Sequence, residues 1–339
     1  MSSPNSAHTP TNRPPRPIYQ QVPVSQAISL PTPGPVPFSV EFMPPRDDAA
    51  ERRLNDAAAI FHDLGASFVS VTYGAGGSSR SRTIRIGQEL AHTPLTTLVH
   101  LTLVQHTVDE LKEIIASYQE CGLTNILALR GDPPGDPTGE WISTPGGLEH
   151  AIDLIKLIQE CDTQRQFEIG IASFPDKHYR ATDLDSDTAY TIAKLRAGAS
   201  YSITQMFFDV EYYLRLRDRL AAADPVHGAK PVIPGLMPIT SLKSLRRQRE
   251  LAGCRVPADL EERLEKATAT GDPSDPRVRQ EIRKIGIAHT TAMAERLISE
   301  GAPDLHFMTL NFARATQEVL HNLGMAPAWG TDHGHDAVR

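Results

Sequence analysis

The chain has 339 residues and a net charge of −7, with acidic and basic side chains interspersed, so it offers no basic face for a nucleic acid. Its three cysteines, Cys121, Cys161 and Cys254, lie far apart with no CxxC pair, which argues against a disulfide framework or a zinc ribbon and for a reducing compartment. No apolar run reaches the length of a membrane span and no apolar leader is visible, so a cytoplasmic protein is expected.

Residues 1–36 are rich in Pro, Ser, Thr and Asn without periodicity, and read as a disordered or extended tail. The first strand follows in FSVEFMPPR (38–46), where Phe38, Val40 and Phe42 alternate with Ser39 and Glu41 before Pro44 and Pro45 end it. Further strands are expected at FVSVTYG (68–74), TTLVHLTLV (96–104), NILALRG (125–131), FEIGIASFP (167–175), YSITQMFF (201–208), PVIPGLMP (231–238) and LHFMTLN (305–311). A helical pattern follows each, such as TVDELKEIIASYQECG after the third, and residues 255–300 add helices before the last strand. Several strands are apolar on both faces, as buried parallel strands are. Eight βα units over 37–325 predict an α/β fold, a (β/α)8 TIM barrel; a doubly wound open sheet is the alternative. Residues 326–339 read as a second flexible tail, and His333 and His335 as part of it rather than as metal ligands.

In such barrels sites sit at the C-terminal ends of the strands. Polar residues gather there: Glu41 on the first strand, Thr72 and Tyr73 ending the second, and His100 and Thr102 on the third. Arg130, Gly131 and Asp132 end the fourth, Ser173 and Phe174 the fifth with His178 beyond, and Thr204 and Gln205 the sixth. Burying such groups without partners costs a few kcal/mol each, roughly, so their convergence on one rim points to a site. Plainer readings stand beside each. Glu41 could pair structurally with Arg130, Asp132 could start a turn before Pro133, and His100 could be a satisfied core histidine. Gln205 could bond only to backbone, and Asp187 and Lys194, seven apart on one helix, could be surface charges. GAGGSS (74–79) lacks the last glycine of a dinucleotide fingerprint, and GDPPGDPTGE lacks the Gly-Lys-Ser/Thr of a P-loop. With no recognisable nucleophile or metal ligand set, the residues offer acid–base chemistry and binding, which suits a borrowed cofactor.

The segments FSVEFMPPR, FVSVTYGAGG, HLTLV, ALRGDPP, AGASYSITQMFFD, VIPGLMPIT and HFMTLN occur in order at these strand ends. Together they resemble methylenetetrahydrofolate reductase of the single-domain bacterial type, over roughly 38–324. The resemblance implies an FAD-dependent enzyme that reduces 5,10-methylenetetrahydrofolate to 5-methyltetrahydrofolate with NAD(P)H, in one-carbon metabolism supplying methionine synthesis. It implies a homo-oligomer; with only tails read on either side of the barrel, no inhibition through a regulatory domain of the animal kind is expected. Glu41 matches the family's general acid, which protonates N10 of the folate so that hydride from the flavin can reach the methylene carbon. An acid with that task has to be protonated near neutral pH, so a raised pKa is expected from its apolar neighbours. Asp132 matches a carboxylate beside the flavin and pterin, where its charge helps stabilise a cationic folate intermediate. Gln205 matches a substrate-binding residue. Thr72, Tyr73, Ala75, His100, Arg130, Gly131, Asp132, His150, Ala151, Phe174, His178, Asp187 and Lys194 match positions that hold FAD. The chain departs from the family's usual residues at Phe174 and His150, at Phe312 after TLN, at Leu242 and at Met308. Two other readings stay open: a flavin-free relative passing hydride directly from NAD(P)H to folate, and a barrel that binds folate without turnover. Proline dehydrogenase shares the architecture, but nothing in these motifs favours it.

Overall fold

The computed structural model describes residues 19–32, 34–73, 77–133, 135, 139–272 and 274–327. Its strands are β1 (Phe38–Phe42), β2 (Val69–Val71), β3 (Thr97–Thr102), β4 (Asn125–Leu129), β5 (Glu168–Ser173), β6 (Tyr201–Thr204), β7 (Val232–Ile233), β8 (Gly235–Leu236) and β9 (Leu305–Met308). All pair in parallel, in the order β7-β6-β5-β4-β3-β2-β1-β9-β8. β7 and β8 are the two halves of the expected strand PVIPGLMP, divided at Pro234, which has no N–H to give the ladder. The first half pairs with β6 and the second with β9. One interrupted strand therefore closes the sheet on itself, and the fold is the expected (β/α)8 barrel rather than an open sheet. Gly235 is required at this junction: a Cβ there would lie 2.3 Å from the Thr204 carbonyl oxygen.

The helices are α1 (Val24–Ala27), α2 (Asp48–Asp63), α3 (Gly77–Ala91), α4 (Val108–Glu120), α5 (Ala151–Cys161), α6 (Leu184–Arg196), α7 (Val210–Ala223), α8 (Leu242–Ala252), α9 (Ala258–Thr268), α10 (Pro276–Ser299) and α11 (Ala313–Asn322). Their starts are written locally. Asp47 accepts from Ala50 N–H, Thr107 and Glu110 form a capping box, and Pro276 opens α10 behind the cap Asp275. None of these helices is long and apolar enough to cross a membrane.

Alternation along the strands divides the core. Val40, Val69, Val99, Ile126, Ile171 and Phe307 face the helices, while Phe68, Leu98, Leu127, Tyr201, Ile203 and Ile233 pack as a separate cluster inside the barrel. A third cluster, with Phe208, Met237, Ile239 and Leu260, lies under α8–α10. Space inside the barrel is tight: a Cβ on Gly170 would lie 2.5 Å from the fully buried Tyr201 ring. Gly170→Ala is expected to destabilise the fold by about 1–3 kcal/mol, read as a lower urea midpoint with an unchanged slope.

Part of the expected N-terminal tail is ordered against the barrel. Residues 1–18 lie outside the described residues, but 19–32 close the lower mouth of the barrel. The Gln21 side chain accepts from Thr97 N–H (2.7 Å), Val24 N–H donates to the Asn125 side chain (3.1 Å), and Ser25 N–H donates to Glu168 (2.9 Å). Val24 is fully buried. Polar residues at the feet of β3, β4 and β5 thus find their partners in a segment whose own sequence shows no periodicity. The expected tail 326–339 falls outside the described residues from 328 onward, as do His333 and His335.

Candidate active site

The strand alternation that builds the barrel turns Glu41 to its interior, near the upper mouth. Its carboxylate Oε2 lies 3.6 Å from His100 Nε2 on β3 and 3.9 Å from His306 Nε2 on β9. Both distances exceed a direct hydrogen bond, and His100 Nε2 meets no hydrogen-bond partner among the described residues. The structural pairing with Arg130 considered above is not formed: the Arg130 guanidinium instead covers the Trp141 ring, 5.3 Å from its centre.

The strand end carrying Glu41 is clamped. Thr309 Oγ donates to the Glu41 carbonyl (2.8 Å). The Asn311 side chain accepts from Met43 N–H and donates to Met43 O, each at 2.8 Å. Leu310 and Asn311 are both left-handed, at φ 52° and 65°. That conformation costs roughly 1–2 kcal/mol per non-glycine residue, and the bidentate clamp holds it.

The expectation of a raised Glu41 pKa is not met by the free site. Burial pushes the carboxyl up, but the His306 ring and then the charges of His100 and His306 outweigh burial, and the carboxyl lies below its ordinary value. Part of that pull requires a charged His100. Burial drives His100 itself down to about 4, although Glu41 pulls it up, so near neutral pH its ring is uncharged. A ring with a folded value near 4 and an ordinary value of 6.5 binds protons more readily unfolded between those limits. Its stabilising contribution is therefore complete above about pH 6.5 and is lost as the pH falls toward 4, by about 3 kcal/mol. His100→Asn should flatten the acid limb of stability in that window, read as urea midpoints at stepped pH.

A second group of residues lies across the mouth, on the loops after β4 and β5 and on α6. Lys194 Nζ donates to the Ala172 carbonyl (3.0 Å), and burial lowers it to about 8. Asp187 accepts from His178 N–H (3.0 Å), while its other oxygen is buried and meets no partner among the described residues. Asp187 and Lys194 are thus no ordinary surface pair. The His178 ring packs edge-on to Phe174 (4.7 Å) and stacks on Tyr179 (4.6 Å). Burial, then the charges of Arg130, Lys194, Arg180 and Lys177, hold His178 down at about 4, so it stays neutral among cations. Gly131 adopts φ +86°, and a Cβ there would lie 2.5 Å from Val104. Asp132 stands at the rim, where the surrounding walls push its carboxyl up against the opposing pull of Arg130 and Arg180. The cluster is a cationic cradle with a carboxylate oxygen that meets no partner among the described residues, the groups that a phosphate and a ribose hydroxyl would use.

The other expected residues are placed more loosely. Thr72 N–H donates to Phe42 O, Tyr73 OH pairs with His106 Nε2 at 2.8 Å, and Ala75 lies outside the described residues. His150 stands at the cap of α5, largely exposed and 3.7 Å from Asp153, and Ala151 is the first residue of that helix. Gln205 Oε1 accepts from Met206 N–H, the backbone bond considered above. Leu242 is buried in the cluster under α8, whereas Phe312 is 57 % exposed. Residue-by-residue reading passed over His306, Ser39 and Asp304. The available signal was His306 alternating with Leu305 and Phe307, which places an imidazole on the interior face beside Glu41.

Comparisons with known proteins give the family and the fold. Residues 28–324 match the family described as methylenetetrahydrofolate reductase. The chain is 34% identical over 296 residues to the 5,10-methylenetetrahydrofolate reductase of Escherichia coli (strain K12), covering 87% of this chain and 93% of that one. It is 28% identical over 312 residues to "Methylenetetrahydrofolate reductase (NADH) 1" of Arabidopsis thaliana, covering 89% of this chain and 50% of that one. Among solved structures, a Clostridium thermocellum protein described as binding two copies of 5-methyl-5,6,7,8-tetrahydrofolic acid shares the fold, with TM-score 0.56 and 15% identity over 88% of this chain and 97% of that one. The match running from 28 to 324 and the 34% identity over most of both chains place this barrel in the methylenetetrahydrofolate reductase family.

Proposed function

We propose that the chain reduces 5,10-methylenetetrahydrofolate to 5-methyltetrahydrofolate with NAD(P)H, in the cytoplasm and as a homo-oligomer. The observation that carries the reading is Glu41, a carboxyl inside the barrel flanked by two imidazoles and open at the mouth. FAD fits the cradle across the mouth. The unpartnered Asp187 oxygen would take a ribose hydroxyl, and Lys194 and Arg130 would face the pyrophosphate. When bound, FAD would supply the hydride chemistry, accepting from NAD(P)H and giving to the methylene carbon of the folate.

The chain's own residues do the rest. Glu41 holds a proton for N10 of the folate, and the clamp from Thr309 and Asn311 keeps its strand end in place. Arrival of the pterin excludes water from the mouth, which favours the neutral carboxyl. Asp132 presents negative charge at the rim toward the cation that forms when the folate ring opens. Gln205 offers its amide nitrogen to the pterin while Met206 N–H holds the amide oxygen.

The test is the visible spectrum of the purified protein under anaerobic NADH and then methylenetetrahydrofolate. A flavin band that bleaches with NADH and returns with the folate is the expected result. No flavin band after incubation with FAD, with folate still reduced, would replace this reading by direct hydride transfer. No turnover at all would leave a folate-binding barrel.

A further inference from the structure

Behind Glu41 lies a chain of buried polar groups that the proposed reaction does not use. Asp304, Ser39 and His306 are each 0 % exposed. Ser39 Oγ lies 2.5 Å from Asp304 Oδ1 and 2.7 Å from His306 Nδ1. Ser67 Oγ donates to the other Asp304 oxygen (2.6 Å), and Phe68 stacks on the His306 ring (5.4 Å). His306 Nε2 faces Ser70 Oγ (3.3 Å) and Glu41 Oε2 (3.9 Å). The line therefore runs Asp304–Ser39–His306–Glu41, from the lower barrel to the mouth.

Serine has one hydrogen and two neighbours here, which leaves two consistent arrangements. In the first, Asp304 is ionised and accepts from Ser39, Ser39 accepts from His306 Nδ1–H, and the bare Nε2 faces a protonated Glu41. In the second, Asp304 carries the proton and donates to Ser39, Ser39 donates to Nδ1, and Nε2–H faces an ionised Glu41. The two hold the same number of protons. Conversion moves three of them in step: Nε2–H to Glu41, Ser39 O–H to Nδ1, and Asp304 O–H to Ser39. It requires the Glu41 side chain to approach Nε2 by roughly 1 Å, to hydrogen-bond distance.

We propose that Glu41 and Asp304 share one proton through His306 and Ser39, so that Asp304 is the internal reserve from which the acid of the folate step is loaded. The proposal rests on the reading of Glu41 as the proton donor to folate. The titratable groups facing this line are Glu41 on β1, His100 on β3, and His306 with the adjoining Asp304 on β9. The directions of titration in the free protein agree with the second arrangement. Burial pushes Asp304 up against its bonds from Ser39 and Ser67, while Glu41 is pulled down. Entry of substrate, by desolvating Glu41, would draw the proton forward. Asp304 touches no substrate; it is a positioning residue that acts through Glu41.

A shared proton is hard to remove, because its loss leaves two negative carboxylates on one buried line. Methylenetetrahydrofolate-dependent reoxidation of the flavin should therefore persist to higher pH than a lone Glu41 would allow. Asp304→Asn keeps the shape and the acceptor for Ser39 but carries no ionisable proton. In that variant the alkaline limb of the folate half-reaction is expected to move down by one pH unit or more, with flavin reduction by NADH unchanged. Ser39→Ala, which cuts the line and leaves both carboxyls, should shift the same limb, and Ser39→Thr should restore it. An unshifted limb in folded, flavin-loaded Asp304→Asn would overturn the proposal. If that variant does not fold, the serine pair decides, and equal profiles for Ser39→Ala and Ser39→Thr overturn it. Infrared spectroscopy reads the sharing without turnover. The wild-type chain at neutral pH should show a buried protonated-carboxyl band that Asp304→Asn lacks, and its absence in the wild type overturns the proposal. If the wild type does not reduce folate, it is the proposed function that fails, and the infrared band still reports on the shared proton.

Discussion

Glu41→Gln is expected to abolish folate-dependent reoxidation of the flavin while reduction of the flavin by NAD(P)H survives. The substitution keeps the side chain's length and its place between His100 and His306, 3.6 and 3.9 Å away in the wild type. It removes only the ability to give up a proton. General acid catalysis by a positioned carboxyl contributes roughly 10²–10⁴-fold, so a loss of that size in the folate half-reaction is expected. Hydride delivery from the nicotinamide to the flavin requires no proton for N10. The measurement is stopped-flow of the two half-reactions on folded, flavin-loaded protein. Equal losses in both would sink the assignment of Glu41 as a dedicated acid for folate.

The second large effect is expected at Lys194. Its ammonium is half-buried in α6, bonded to the Ala172 carbonyl and balanced by Asp187. Lys194→Met keeps the bulk and removes the charge. A hydrogen bond to a charged group is worth about 1.5–3 kcal/mol, so FAD affinity should fall about 10–100-fold. The pH dependence gives a sharper reading. Because burial lowers Lys194 to about 8, its charge is present below that pH and fades above it. Wild-type FAD binding should weaken from pH 8 upward, and the Lys194→Met variant should lack that limb. Equilibrium titration of the apoprotein with FAD, followed by flavin fluorescence, checks both points. Unchanged affinity in the variant would remove Lys194 from the cofactor site.

How far these residues could be read in advance depended on the range of the forces placing them. Glu41 was legible because alternation in FSVEF assigns its face, and the Pro44–Pro45 stop assigns its level. Arg130, Gly131, Asp132, His178, Asp187 and Lys194 were legible as a set through motif order, and the fold gathers them at one side of the mouth. His306 carried only a faint signal, since one imidazole in LHFMTLN looks like any interior histidine. Ser39 and Asp304 carried none, because a serine beside a strand start and an aspartate before one are ordinary until the strands pair. The register Ser39↔His306 is what turns them into neighbours.

By itself, the amino-acid order determined the local elements: which stretches alternate, which capping residues start the helices, and where Pro44 and Pro45 end the first strand. These follow from interactions within a few residues, which the chain carries in its order. Only the tertiary structure decided three other things. It closed the barrel through a strand broken at Pro234, and it turned residues 19–32 from an apparent tail into the floor of the barrel. It also set the protonation of Glu41, which the apolar neighbours in its own strand would raise and the imidazoles across the barrel lower. The physical reason is common to all three. Hydrogen bonds and charges between residues 59–268 positions apart exist only once parallel strands are in register, and no local pattern records them.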